Sequence, residues 1–311
     1  MISIILTAFK ESKTISTALK YLAQPKYSGY QEKIEIIQVS PDKATLSAGL
    51  NYIKTVENSS LSFSQIKDPG ISKPHALNIA FGKAKGEIIV LTDGDVNFEK
   101  NALEILIKEF TEKKFDIACG KPVSSNQRNT FMGYISHLMT SAADDKRNKK
   151  LNLEHDFFPL SGYALILNKS KFETNTNEKL VLPEDCLVED AYISYKFYNN
   201  NLKLGYIKDS KVKVKFPSTL KDYFRQKKRS TGGYLQLWKY NIVKRSTNSR
   251  SIFQEIKYFL YPLKFAKSPL ELIWSLAFYP TRLILWIVIW YERKIQNKDF
   301  TKTWVRIEST K

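Results

Sequence analysis

The chain has 311 residues, 43% of them hydrophobic and 26% charged, enough apolar material to bury one sizeable core and unlike a disordered segment. Lys and Arg outnumber Asp and Glu by 49 to 31, a formal net charge of +18, which points to a polyanionic partner: nucleic acid, an anionic membrane surface or phosphorylated substrates. The two cysteines, Cys119 and Cys186, lack redox or metal-ligand spacing, which argues against a disulfide framework and a zinc site and fits a reduced compartment.

In chain order, Ile2, Ile4, Ile5 and Leu6 open a short apolar run. It lacks the basic and long apolar regions of a signal peptide, so it is read as a core strand and the folded part is placed in the cytoplasm. After a polar turn, Ile15, Ala18, Leu19 and Leu22 recur at helical spacing. A second strand is predicted over residues 34–39, a helix over 77–84 and a third strand over 87–91. Continuous apolar strands alternating with amphipathic helices predict an α/β fold, a mostly parallel sheet covered on both faces. Ligands of such sheets bind beyond the carboxyl ends of the strands. Those ends carry the residues 7–11, Asp42 and Asp93-Gly94-Asp95. Further along, a strand is predicted over 163–167 and a helix over 190–199. Residues 203–245 hold thirteen Lys or Arg against Asp209 and Asp222, and from about residue 252 the sequence is aromatic and apolar.

Asp93 and Asp95 directly follow the buried run 88–92, so both carboxylates are delivered to the rim of the sheet. Mg²⁺ or Mn²⁺ is commonly held by one or two carboxylates, with diphosphate oxygens and waters completing the shell. Gly94 between them allows close approach of the backbone to a ligand. An EF-hand reading, with Asp93, Asp95, Asn97 and Glu104 at loop positions 1, 3, 5 and 12, fails because Phe98 stands where the turn needs Gly and a strand precedes the loop. A plain turn-and-cap role is the competing interpretation.

The order of motifs is more specific than any one of them. Residues 2–11, 34–39, Lys73-Pro-His-Ala-Leu-Asn78, Gly86-Glu-Ile-Ile-Val-Leu-Thr-Asp-Gly-Asp95, Val188-Glu-Asp190 and Gln226-Lys-Lys-Arg229 together resemble family 2 glycosyltransferases of the GT-A fold. The resemblance covers about residues 1–233. It implies a GT-A catalytic domain over 1–245, with a nucleotide-binding half to about 120 and an acceptor half over 121–245, followed by C-terminal membrane-associated helices over 246–311.

The resemblance also implies roles. Thr7, Phe9, Glu11 and Asp42 would contact the base and ribose of a nucleotide-sugar donor, with a loop cap as the alternative for Asp42. Asp93 would lie near the ribose and metal, Asp95 would coordinate Mg²⁺ or Mn²⁺, and Lys73 would assist or be an ordinary solvated lysine. Asp190 would be the general base of an inverting transfer, with Glu189 beside it on the acceptor side; helix capping competes here too, and Glu184-Asp185 is a second acidic pair five residues earlier. Arg229, with Lys228 and Gln226, would close on the diphosphate. Ser230 replaces the Trp of processive synthases, which predicts non-processive transfer. Gly232-Gly233 predicts a loop.

Residues 272–291 are long enough to cross a bilayer core but contain Pro280 and Arg282, with basic residues on both flanks. That pattern predicts a helix in the interface, or a shallow re-entrant pair broken at Pro280, with Trp274, Trp286, Trp290 and Tyr291 at headgroup level. Ile252, Ile256, Phe259, Leu260 and Leu263 predict an amphipathic helix before it. Packing on the catalytic domain is the alternative.

The function expected is therefore transfer of a sugar to a lipid-linked or cell-surface glycan acceptor in polysaccharide or cell-envelope synthesis, peripheral or monotopic at the cytoplasmic face of the membrane. A polyprenyl-phosphate sugar synthase is the related alternative, and a basic nucleic-acid binder the alternative of another class. No nucleic-acid-binding motif supports the last, so no nucleic-acid partner is expected.

Overall fold

The computed structural model describes residues 1–23, 33–57, 61–243, 259–302 and 307–310. Two compact units emerge: residues 1–122 with 147–214, and residues 123–146 with 215–311.

The first unit is built on an eight-stranded sheet. Its first half consists of β1 (Ile2–Thr7), β2 (Ile34–Ser40), β3 (Leu61–Lys67) and β4 (Ile88–Asp93), all parallel. The fully buried Ile2, Ile4 and Ile5 put β1 in the interior, flanked by β2 and β4 in the order β3-β2-β1-β4. Parallel register brings Thr7 opposite both Val39 and Asp93, so the carboxyl ends of three strands share one edge. Between strands lie α1 (Ile15–Leu22), α2 (Lys43–Ile53) and α3 (Lys73–Lys83). The expected apolar stripe of α1 is buried in full. Helix α3 begins four residues before the predicted 77–84 stretch, because Ser72 caps it by accepting from the His75 N–H at 3.1 Å and Pro74 suits its first turn.

Beyond β4 the sheet stops being parallel. After β5 (Asn97–Phe98), α4 (Ala102–Glu112) and β6 (Ile117–Ser124) come α5 (Phe131–Arg147), β7 (Leu165–Asn168), α6 (Lys169–Thr176), α7 (Glu189–Asn199) and β8 (Leu204–Val214). Strand β7 pairs antiparallel with β4 and β6, and β5 with β8. The uninterrupted parallel run β3-β2-β1-β4 thus lies in the half expected to bind nucleotide.

The second unit contains most of α5 with α8 (Leu220–Lys239), α9 (Tyr261–Phe265) and α10 (Pro269–Lys294). Tyr134, Ile135 and Leu138 of α5 form one small core with Tyr261, Phe265, Trp274 and Phe278, so Trp274 turns inward. Met132, Tyr223, Leu285, Ile289 and Phe300 form a second. Gly232 and Gly233 lie inside α8 rather than in a loop. At Gly232 a Cβ would sit 2.1 Å from the Phe300 carbonyl oxygen, so the missing side chain serves close packing. Helix α10 runs unbroken through Pro280; most of the amphipathic helix expected before it, with Ile252 and Ile256, lies outside the described residues.

The start of α10 is anchored by Arg128, whose Nε and Nη2 donate to the two carboxylate oxygens of Glu271 at 2.7 and 2.9 Å. The guanidinium also lies 4.5 Å from the Phe265 ring centroid. This fork holds the Glu271 carboxyl down at about 2, below its ordinary 4.5, against desolvation and with help from the Lys267 N–H. A depressed acid pKa adds stability above the unfolded value and loses it as pH falls through the folded one. Glu271→Gln is therefore expected to cost about 1–3 kcal/mol at neutral pH. Urea titrations should show the difference from the parent shrinking between pH 4.5 and about 2.

Candidate active site

The site grows from the shared edge of β1 and β4. The Thr7 hydroxyl donates to Asp93 Oδ1 at 2.8 Å, and the Gly94 N–H to the Thr7 carbonyl at 2.9 Å, so the Asp-Gly-Asp turn is tied to the end of β1. Glu11 is buried against the same turn: a Cβ on Gly94 would sit 2.5 Å from Glu11 Oε2. Gly94→Ala is therefore sterically excluded without displacing that carboxylate. Asp95 follows on the rim. Phe9 is exposed, with the Lys10 ammonium 5.4 Å from its ring centroid.

Lys73, first residue of α3, joins this edge to the second acidic motif. Its Nζ lies 2.7 Å from Asp93 Oδ1 and 2.8 Å from Glu189 Oε1. A cation at a helix N-terminus is disfavoured by the macrodipole, by about 0.3–1 kcal/mol. Two charge-assisted contacts, each of about 1.5–3 kcal/mol, outweigh that. Desolvation lowers the Lys73 pKa, yet Asp93 and Glu189 together raise it well above its usual value. The same helix also holds the chain leading to Glu189. Asn78 exchanges side-chain bonds with the backbone of Leu182, both at 2.8 Å, and His75 Nδ1 meets Glu184 Oε1 at 2.7 Å. Residues 73, 75 and 78 thus clamp the approach to α7, and Glu184, of the earlier acidic pair, is engaged with α3.

Asp190 sits in the first turn of α7, where the macrodipole favours a carboxylate. Its Oδ1 accepts from the Ala191 N–H at 2.8 Å and its Oδ2 from the Gly162 N–H at 3.1 Å. Gly162 lies close: a Cβ there would be 3.1 Å from the Asp190 Cβ. Desolvation first, and the neighbouring Glu189 second, raise the Asp190 pKa, against those two N–H groups and Lys73. Thr7, Lys73, Asp93, Gly162, Glu189 and Asp190 line a single cleft, its apolar walls made by Leu77, Leu91, Leu165 and Ile193. Both cysteines are buried, and desolvation pushes the Cys186 thiol up to about 12, so neither is a nucleophile.

Asp42 caps α2, accepting from the Thr45 N–H at 2.8 Å, and also accepts from the Lys10 N–H at 2.8 Å. Desolvation is outweighed by these bonds, and its pKa is lowered. These bonds tie the β1 loop to the start of α2, the capping role that is the alternative for Asp42. Gln226, Lys228 and Arg229 all lie on α8 of the second unit, where Lys228 Nζ meets Glu292 Oε1 at 2.7 Å. Gly162 carried no sequence signal, because its bond to Asp190 closes across 28 residues.

A family model described as glycosyl transferase family group 2 matches residues 88–292, more than half of the chain, from β4 through the Glu-Asp motif to α10. The chain belongs to this glycosyltransferase family. No curated protein sequence matches the transferase. Among solved structures, it resembles a mannosyltransferase, PcManGT from Pyrobaculum calidifontis, in complex with GDP-Man and Mn²⁺, at TM-score 0.55 and 16% identity over 96% of this chain and 82% of that one. It also resembles S. aureus TarS 1-349 in complex with UDP-GlcNAc, at TM-score 0.54 and 16% identity over 96% and 92% of the two chains. At such identities the likeness speaks for a shared fold.

Among the described residues no three His, Cys, Asp or Glu side chains converge as a metal cage. A hard divalent ion completed by diphosphate oxygens and water needs no cage. Asp93 and Asp95 of the transferase, on a turn braced by Thr7, supply oxygen donors of the right kind.

Proposed function

We propose that this glycosyltransferase moves a sugar from a nucleotide-diphosphate donor to a hydroxyl of a lipid-linked or cell-surface glycan acceptor, with inversion and without processivity, at the cytoplasmic face of the cell membrane. The observation that carries the reading is Lys73: its ammonium joins Asp93 of the Asp-Gly-Asp turn to Glu189, beside Asp190, in one cleft. The nucleotide sugars bound in the two similar structures, GDP-Man and UDP-GlcNAc, support a donor of this class.

Asp190 acts as general base, its raised pKa bringing it nearer to that of the proton it must take. The Gly162 and Ala191 N–H groups hold its carboxylate in one orientation. As Asp190 takes the acceptor proton, the acceptor oxygen bonds to the anomeric carbon from the face opposite the phosphate. The sugar–phosphate bond breaks, and its electron pair leaves with the nucleoside diphosphate. A divalent ion bound by Asp95 and Asp93 would stabilise the negative charge on that diphosphate. Thr7, Phe9 and Glu11 at the end of β1 would contact the base and ribose of the donor, with Asp42 either joining them or bracing that loop as a cap.

Calorimetry of a panel of nucleotide sugars with and without Mn²⁺ tests the donor and the metal together. Asp95→Asn is expected to weaken donor binding about tenfold or more in Mn²⁺, as loss of one of at most two protein carboxylates should. Donor affinity indifferent to both EDTA and Asp95→Asn would remove the metal from the reading. Retention of transfer by Asp190→Asn would instead favour a phosphate acceptor, as in a polyprenyl-phosphate sugar synthase, which needs no general base.

A further inference from the structure

Helix α10 presents two unlike sides. Its inner side is built into the second unit: Glu271 holds Arg128, Ser275 Oγ lies 2.6 Å from the Tyr134 hydroxyl, and Leu285 and Ile289 are buried. Glu292 meets Lys228 at 2.7 Å. Arg282, the charge in the middle of the apolar run, turns to the Tyr223 hydroxyl at 3.2 Å. Both acidic residues of the helix are therefore directed inward and paired with cations.

The outer side is the reverse of a normal soluble helix. From Leu272 to Tyr291 every exposed residue is apolar or aromatic, including Ile273 at 60%, Leu283 at 61% and Trp290 at 58% relative exposure. At 1.5 Å per residue the stripe is about 30 Å long, and Lys264, Lys267, Arg293 and Lys294 stand exposed at its two ends. So large a contiguous apolar face marks a docking surface.

We propose that this face lies flat in the interfacial layer of an anionic bilayer, with α10 parallel to the membrane plane. The inference deepens the membrane-surface placement of the proposed function and rests on it. Charge selects the occupant: with both acids of the helix turned inward, the exposed charges from Lys264 to Lys294 are all basic, which suits anionic headgroups. A second copy packed antiparallel on the same stripe would set the cations of one end against those of the other. Spanning is opposed by the inner side, where Arg128–Glu271 and Lys228–Glu292 would have to enter hydrocarbon or break. Pro280 also removes the usual donor to the Leu276 carbonyl, which a shallow position leaves within reach of water.

Flotation of the full chain with phosphatidylcholine vesicles, alone or with phosphatidylglycerol, tests this. Binding is expected only with phosphatidylglycerol, and Leu276→Glu with Ile287→Glu should weaken it about tenfold or more. Both residues are exposed, so the double variant should keep the parent Tm and donor affinity. The native thiols are buried, so a polarity-sensitive dye on Ile287→Cys reports the face alone and should shift to the blue on anionic vesicles. Tags at the two ends should both be open to protease outside sealed vesicles. Equal binding to neutral vesicles, protection of one end, or no vesicle binding with concentration-dependent dimerisation would each overturn the proposal. Because donor binding is read separately, its loss in the parent would count against the transferase reading instead.

Discussion

Asp190→Asn is expected to lower kcat by about a hundred- to ten-thousandfold, the usual contribution of a general base, with little change in donor affinity. The amide keeps the shape of the carboxylate beside Gly162 but has no basic oxygen for the acceptor proton. Stability should not follow activity. A carboxyl whose pKa is raised by folding costs stability once pH passes its unfolded value of 3.8, and the cost grows until pH reaches the folded value, above which it is complete. Asp190→Asn should therefore relieve that cost at neutral pH but leave one of the two N–H groups, of Gly162 or Ala191, without its acceptor, so Tm should change little while transfer is lost. For the parent, kcat/KM should fall on the acid side at a pH above that of an ordinary aspartate. A variant that loses activity and Tm together would show that Asp190 only caps α7.

Lys73→Met is expected to be the most destabilising single change in the cleft. It leaves Asp93 and Glu189, 21% and 17% exposed, facing each other with no cation between them, close to Asp190. Removing one partner of a buried pair costs about 3–5 kcal/mol; solvent screening at these partly exposed positions puts the expected loss nearer about 2–3 kcal/mol. Urea unfolding at pH 7 should show it, and the deficit should narrow in acid, where protonation relieves the repulsion. Because the Lys73 pKa is raised, its own contribution is complete below its usual 10.5 and fades only as pH rises through the higher folded value. Lys73→Arg keeps the charge and should recover part of the loss. Equal stability of Lys73→Met and the parent at pH 7 would mean that the two motifs are held together by Asn78 and the sheet alone.

Local pattern was enough to read three of the four parallel strands and the first helix. The apolar runs of β1, β2 and β4 and the stripe of α1 are short-range signals, with periodicity set by one element's own geometry. The motif order likewise placed Lys73, Asp93, Glu189 and Asp190 in one family's sequence of parts. Strand β3 was missed because it alternates half-buried and exposed residues at the edge of the sheet. The start of α3 was missed because a cap and a proline, not apolar spacing, set it.

What the sequence by itself determined is which groups the chain owns and which strand or helix delivers each: two rim carboxylates after β4, an acidic pair opening α7, and an apolar C-terminal segment. Only the tertiary structure decided how they act on one another. The Lys73 bridge spans contacts 20 and 116 residues apart, the Gly162 N–H reaches Asp190 from another element, and the charges of α10 turn inward onto Arg128, Lys228 and Tyr223. Each is a through-space electrostatic choice whose strength depends on burial and distance, and neither quantity exists until the chain has folded.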